Sequence, residues 1–162
     1  MDSNFSLSLW VKSPDNDGVI YGTYINHAGY FVLLDSTSSI EYRFANSQSN
    51  VSIYADSDRF EAESWNHFLL THDDFRAKLF VNNKLEASTP NSQLVTSRSS
   101  SVNDTLGKAS WYHGKYLQGF IDDVRVYDRA LSAEEVRLLY EEEAELPAQS
   151  VTSAKLSPAL SD

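Results

Sequence analysis

The chain has 162 residues, of which 41% are hydrophobic and 12% aromatic, with no cysteine and a formal net charge of −10. This is enough apolar material for one domain with a real core, since a chain of about 150 residues buries roughly 70% of its unfolded surface. The missing thiols exclude disulfide scaffolds, cysteine-based zinc sites and cysteine nucleophiles, and the acidity argues against nucleic acid and anionic membranes as partners.

Phe5, Leu7, Leu9 and Val11 alternate with Ser6, Ser8 and Trp10, which is the period of a strand with one apolar face. Further strands are predicted at Val19–Ile25, Tyr30–Asp35, Ile40–Ala45, Val51–Ala55, Trp65–Asp73, Ala77–Asn82, Leu85–Ser88, Asp104–Gly107 and Gly119–Tyr127. Turn residues separate them, including Ser13-Pro14-Asp15-Asn16-Asp17-Gly18 and Asn82-Asn83. Asn tolerates a positive φ, so Asn82-Asn83 predicts a tight hairpin. About ten short strands at such spacing predict an antiparallel sandwich or barrel rather than a parallel α/β sheet.

One helix is predicted, near 133–142. Ser132-Ala133-Glu134-Glu135 has the form of a capping box, and Leu131 with Val136 can staple the first turn. Val136, Leu139 and Tyr140 share a face. Glu141, Glu142, Glu143 and Glu145 stand where the helix dipole disfavours anions, so this end is expected to be solvated and frayed. After Leu146-Pro147 the composition turns to Ser, Ala and Thr without aromatics. The expected organisation is therefore a domain over 1–146 and a linker or tail over 147–162.

The closing strand breaks parity. Ile121, Val124 and Val126 cannot all lie on one face of a regular strand. An extra residue at Asp122-Asp123, a β-bulge, would reconcile them. A carboxylate beside unpaired bulge carbonyls is a place for calcium; the alternative is that both aspartates hydrogen-bond to nearby backbone or to Arg125.

Two segments carry a resemblance. The first is Trp65-Asn66-His67-Phe68-Leu69-Leu70-Thr71-His72-Asp73, followed by Leu79-Phe80-Val81-Asn82-Asn83-Lys84. The second is Gly119-Phe120-Ile121-Asp122-Asp123-Val124-Arg125-Val126-Tyr127-Asp128-Arg129-Ala130-Leu131-Ser132. Together with Phe5–Lys12 they resemble the laminin G-like jelly-roll domains of the concanavalin A-like lectin/glucanase superfamily. The resemblance covers roughly residues 4–140. It departs at Asn83, where the hairpin usually has Gly, and at the start, where the family often has one more strand. It implies an all-β, two-sheet antiparallel jelly-roll sandwich with one short C-terminal helix. It also implies a structural calcium held by Asp122 together with backbone carbonyls; Asp123, beside it, and Asp2, just before the first strand, are further candidate ligands by position.

Catalysis is not expected. The E-x-D-x-x-E strand of the glucanase branch is missing, and Asp56-Ser57-Asp58-Arg59-Phe60-Glu61 reads as a solvated turn. None of His27, His67, His72 and His113 lies in an H-E-x-x-H pattern. The candidate ligand-binding residues are Trp111, Tyr112 and His113, in an aromatic stretch around Gly114 whose rings could meet sugar C–H faces. Packing over a sheet edge is the competing role for Trp111.

These observations and the resemblance together lead to one expected function. It is a non-catalytic recognition module for a glycan or a cell-surface or matrix protein, extracellular or on the cell surface, within a longer chain. No secretory signal is visible, and no run approaches the ~20 apolar residues of a membrane span, so membrane insertion is not expected; the acidity speaks against nucleic acid. The rival expectations are a structural spacer in an adhesin or phage tail protein, and a degenerate glucanase-like enzyme.

Overall fold

The computed structural model describes residues 4–15, 17–23, 29–35, 39–45, 50–90, 104–108 and 115–148. Among these residues ten strands form in chain order: β1 Phe5–Lys12, β2 Gly18–Gly22, β3 Gly29–Asp35, β4 Ser39–Ala45, β5 Asn50–Asp56, β6 Trp65–His72, β7 Ala77–Val81, β8 Lys84–Ser88, β9 Thr105–Leu106 and β10 Phe120–Tyr127. The helix α1, Ala133–Ala148, follows. Sheet I has the order β10-β1-β6-β7-β8, and sheet II has the order β5-β4-β3-β2-β9. All pairings are antiparallel. The expected all-β, two-sheet sandwich with one C-terminal helix is therefore the observed architecture.

Alternation decides what lies between the sheets. Phe5, Leu7, Leu9 and Val11 of β1 join Tyr30, Val32 and Leu34 of β3 and Ile40, Tyr42 and Phe44 of β4 in one buried cluster. Each fully buried Leu, Val or Phe there contributes about 1.5–3 kcal/mol. His72 is enclosed with them. It stacks on Phe5 at 5.4 Å, and Phe44 meets its ring edge-on at 4.6 Å. The opposite face of β1, with Ser6, Ser8 and Trp10, lies under α1. There Leu131, Val136 and Leu139 pack on Leu69 and Phe80.

The turn and cap chemistry appears as the sequence predicts. Asn82 and Asn83 have φ of 48° and 64°. The Ser132 backbone N–H donates to Glu135 Oε2 at 2.8 Å, and the Glu135 N–H donates to Ser132 Oγ at 3.3 Å. The bulge is present as well. Ser8 pairs with Arg125 but Trp10 pairs with Asp122, so β10 carries one residue more than β1 over this stretch. Asp123 takes φ 46° to absorb it. The shift sets Ile121 opposite Val11 and Val126 opposite Leu7, on the inner face. Val124 and Val126 nevertheless remain 39% and 53% exposed, because β10 is an edge strand.

The helix differs from expectation. It runs to Ala148 instead of ending near 142, and its acidic end is not simply a solvated run. Glu141 and Glu142 are exposed, but Glu143 is fully buried. Its Oε2 accepts from the Trp10 indole N–H at 3.0 Å and lies 3.3 Å from His67 Nε2. Its Oε1 lies 2.9 Å from Arg125 Nε, an ionic contact in which the N–H is not aimed at the oxygen. Trp10 also stacks on Tyr140 at 5.6 Å. These partners hold the last turns down despite the unfavourable dipole. Of the two tryptophans in the matched motifs, Trp10 is buried and Trp65, at the start of β6, only half-buried. Residues 147 and 148 lie in the helix, and 149–162 fall outside the described residues.

Candidate functional site

The outer face of sheet II carries a polar cluster built by strand register. Glu41 and Arg43 alternate on β4, and Ser52 and Tyr54 alternate on β5. The pairing sets Glu41 opposite Tyr54 and Arg43 opposite Ser52. Directly opposed residues on one face of an antiparallel pair lie about 4.5–5.5 Å apart at Cβ, close enough to interact. Arg43 Nε donates to Glu41 Oε1 at 2.8 Å and to Ser52 Oγ at 3.0 Å. Arg43 Nη2 reaches the same Glu41 oxygen at 2.7 Å, and the Tyr54 hydroxyl donates to it at 3.1 Å. The guanidinium also lies 5.1 Å from the centre of the Phe31 ring, within cation–π range. Burial works against the charge of Arg43, but the hydrogen bond and charge of Glu41, helped by Tyr54, outweigh it and raise its pKa.

The cluster is anchored below and open above. Phe31 belongs to a buried patch with Val19, Leu33 and Ala45 on this face. Glu41 is buried, Arg43 and Ser52 are half-buried, and Tyr54 is 55% exposed. An exposed ring beside a fixed carboxylate and guanidinium offers a stacking surface with a donor and an acceptor next to it.

The residues singled out from the sequence fare differently. Trp111, Tyr112 and His113 lie outside the described residues, as does Asp2. The residues that flank them are described. Lys108 bridges to Tyr116, and the Leu117 N–H donates to the Gly107 carbonyl at 2.9 Å. Lys115 pairs with Asp17. Gly119, at φ 152°, lets this segment pass β1, since a Cβ there would stand 2.1 Å from the Lys12 carbonyl oxygen. Asp122 is exposed, and its Oδ1 accepts the Asp123 backbone N–H at 2.8 Å.

For a calcium ion this is a partial fit. Calcium takes 6–8 oxygens, and among the described residues no group of three or more His, Asp or Glu side chains comes together. We propose a calcium ion at Asp122, with backbone carbonyls giving most of the other oxygens and Asp123 and Asp2 as additional candidates. Melting with and without EDTA tests it. An ion held there makes chelation lower the melting temperature of the wild type and not that of Asp122→Ala. An unchanged wild-type curve assigns Asp122 to the bulge alone.

One cluster has the residue types of a catalytic triad and not its wiring. Ser8 Oγ lies 2.7 Å from His67 Nε2, and Glu143 Oε2 approaches that same nitrogen. A triad needs the two ring nitrogens of the base to serve different partners. Ser8 and His67 are also both fully buried, so no substrate reaches the hydroxyl. These groups tie the helix to the sheet.

The chain belongs to the concanavalin A-like lectin/glucanases superfamily, whose laminin G family model matches residues 1–137. No curated protein matches by sequence. Solved structures share the fold at low identity. Domain 4 of AbnA, a GH43 extracellular arabinanase from Geobacillus stearothermophilus seen in complex with arabinotriose, matches with TM-score 0.64 and 20% identity over 85% of this chain and 66% of that one. The CBM40 of the Ruminococcus gnavus IT-sialidase, bound to α2,3 sialyllactose, matches with TM-score 0.67 and 16% identity over 84% of this chain and 82% of that one. The botulinum neurotoxin serotype D binding domain matches with TM-score 0.70 and 20% identity, but this chain spans only 37% of it. The neighbours are mostly binding domains, and domain 4 of AbnA belongs to a GH43 enzyme. Among the described residues no helix is long and apolar enough to cross a membrane.

Proposed function

We propose that this chain is a non-catalytic glycan-binding module of an extracellular or cell-surface protein, and that the Glu41–Arg43–Ser52–Tyr54 face is its binding site. The observation that carries this reading is the exposed Tyr54 ring hydrogen-bonded to a carboxylate that is itself fixed by Arg43. Sugars present C–H faces to rings and hydroxyls to polar groups, and this face offers both. Two neighbours of the same fold were solved with oligosaccharides bound, which supports the class of ligand and not the sugar. The aromatic stretch with Trp111, Tyr112 and His113 is the second place where rings could contribute. Partners other than the glycan would be neighbouring domains of a longer chain.

A glycan array followed by calorimetry tests the reading. Tyr54→Ala and Arg43→Ala are each expected to weaken binding roughly ten- to hundredfold, as loss of a stacking ring or a charged hydrogen bond does. Tyr54→Ala should leave the melting temperature nearly unchanged, because that ring is largely exposed. A wild-type chain that binds no glycan would leave the structural-spacer reading in its place.

A further inference from the structure

A polyol site can take neutral or acidic sugars, and the charges on this face distinguish the two. Three donors converge on one oxygen of Glu41: Arg43 Nε at 2.8 Å, Arg43 Nη2 at 2.7 Å and the Tyr54 hydroxyl at 3.1 Å. The Glu41 side chain is 8% exposed, and that of Arg43 is 32% exposed. The positive charge that a ligand meets is therefore already matched by a carboxylate fixed beneath it. Ser52 Oγ shares the same Nε–H at 3.0 Å, which holds the fork in place.

A sugar hydroxyl suits such a pair because it both donates and accepts. A ligand carboxylate or sulfate does not. To reach the guanidinium it must stand beside the Glu41 carboxylate, and like charges at such close range repel, the more so where water is partly excluded. The chain's net charge of −10 adds to that repulsion. Discrimination of this kind comes from a built-in repulsive element as much as from attraction.

We infer that the Glu41–Arg43 pair makes this face selective for neutral glycans over sialylated or sulfated ones, with Glu41 as the specificity-determining residue. The inference rests on the glycan-binding reading above. It sets this chain apart from the neighbour solved with sialyllactose, despite the shared sandwich.

The test uses the full chain on an array that carries neutral oligosaccharides beside their sialylated and sulfated counterparts. The wild type is expected to bind neutral members and to reject the acidic counterparts. Glu41→Gln keeps the shape and removes the charge that neutralises Arg43. It is expected to raise affinity for acidic members by about tenfold relative to their neutral counterparts. A wild type that binds acidic members as well as neutral ones overturns the inference and leaves the glycan reading standing. A wild type that binds nothing removes both. A folded Glu41→Gln with no gain for acidic members also overturns the inference. Should that variant melt before assay, the wild-type salt series decides. Neutral recognition keeps its affinity from about 0.05 to about 0.5 M NaCl, whereas a steep loss marks anion recognition and overturns the inference.

Discussion

Replacing Glu143 by alanine is expected to lower the unfolding free energy by about 3–5 kcal/mol, the cost of breaking a buried charge pair by deleting one partner. The carboxylate is fully buried and has three partners: the Trp10 indole, His67 and Arg125. Deletion leaves the indole N–H buried without an acceptor and removes the ion that Arg125 faces. Arg125 is partly exposed, at 34%, so its guanidinium can turn to water, which favours the lower end of that range. Glu143→Gln keeps an acceptor for the indole and is expected to cost less. The first turns of α1 have separate support from Leu131, Val136 and Leu139 on Leu69 and Phe80. Hydrogen exchange should therefore show lost protection after Tyr140 while amides near Val136 stay protected. A urea midpoint within error of the wild type would mean that the helix end is not docked in solution.

How much of this was legible in the sequence depends on the distance over which each feature is encoded. The capping box at Ser132 and Glu135, the Asn82-Asn83 turn and the bulge implied by Ile121 and Val124 are local, and the structure has all three. Glu143 was half legible. In a run of glutamates its composition is that of a solvated end, yet Val136, Leu139, Tyr140 and Glu143 follow the spacing of one helix face, and that face is the one that docks. Burial of a carboxylate there depends on Trp10, His67 and Arg125, which arrive from three strands, two of them far away in sequence. The Glu41 cluster was less legible still. Alternation puts Glu41 with Arg43 and Ser52 with Tyr54, but only the pairing of β4 with β5 sets the two couples opposite one another. A one-residue slip would have turned one couple to the other face.

Acidification is expected to destabilise the fold through His72. The ring is fully buried between the sheets, with Phe5, Tyr30 and Phe44 around it and the Tyr42 hydroxyl 3.0 Å from Nδ1. Burial disfavours the imidazolium and lowers the His72 pKa to about 4, while the charges of Asp73 and Asp74 pull weakly the other way. Burial also raises the pKa of Tyr42, so the phenol keeps its proton. In the unfolded chain the ring titrates near its ordinary value of about 6.5. Between these two values the unfolded state holds a proton that the native state does not, so stability rises with pH across that window and falls as pH drops through it. The gap corresponds to roughly 3 kcal/mol lost between about pH 6.5 and about pH 4, with no further loss from this residue below. Glu135 acts lower: the Arg129 hydrogen bond and the Ser132 cap hold it at about 2, so its share is lost below the window in which His72 acts. His72→Phe keeps the aromatic packing and strands the Tyr42 hydroxyl, at a pH-independent cost of about 1–3 kcal/mol. The variant should start less stable at pH 7 and lose less on acidification, so that its urea midpoint plotted against pH is flatter than the wild type's. Parallel curves for the two proteins would show that His72 accepts its proton in the folded state as readily as in the unfolded one, and that the aromatic enclosure does not exclude the charge.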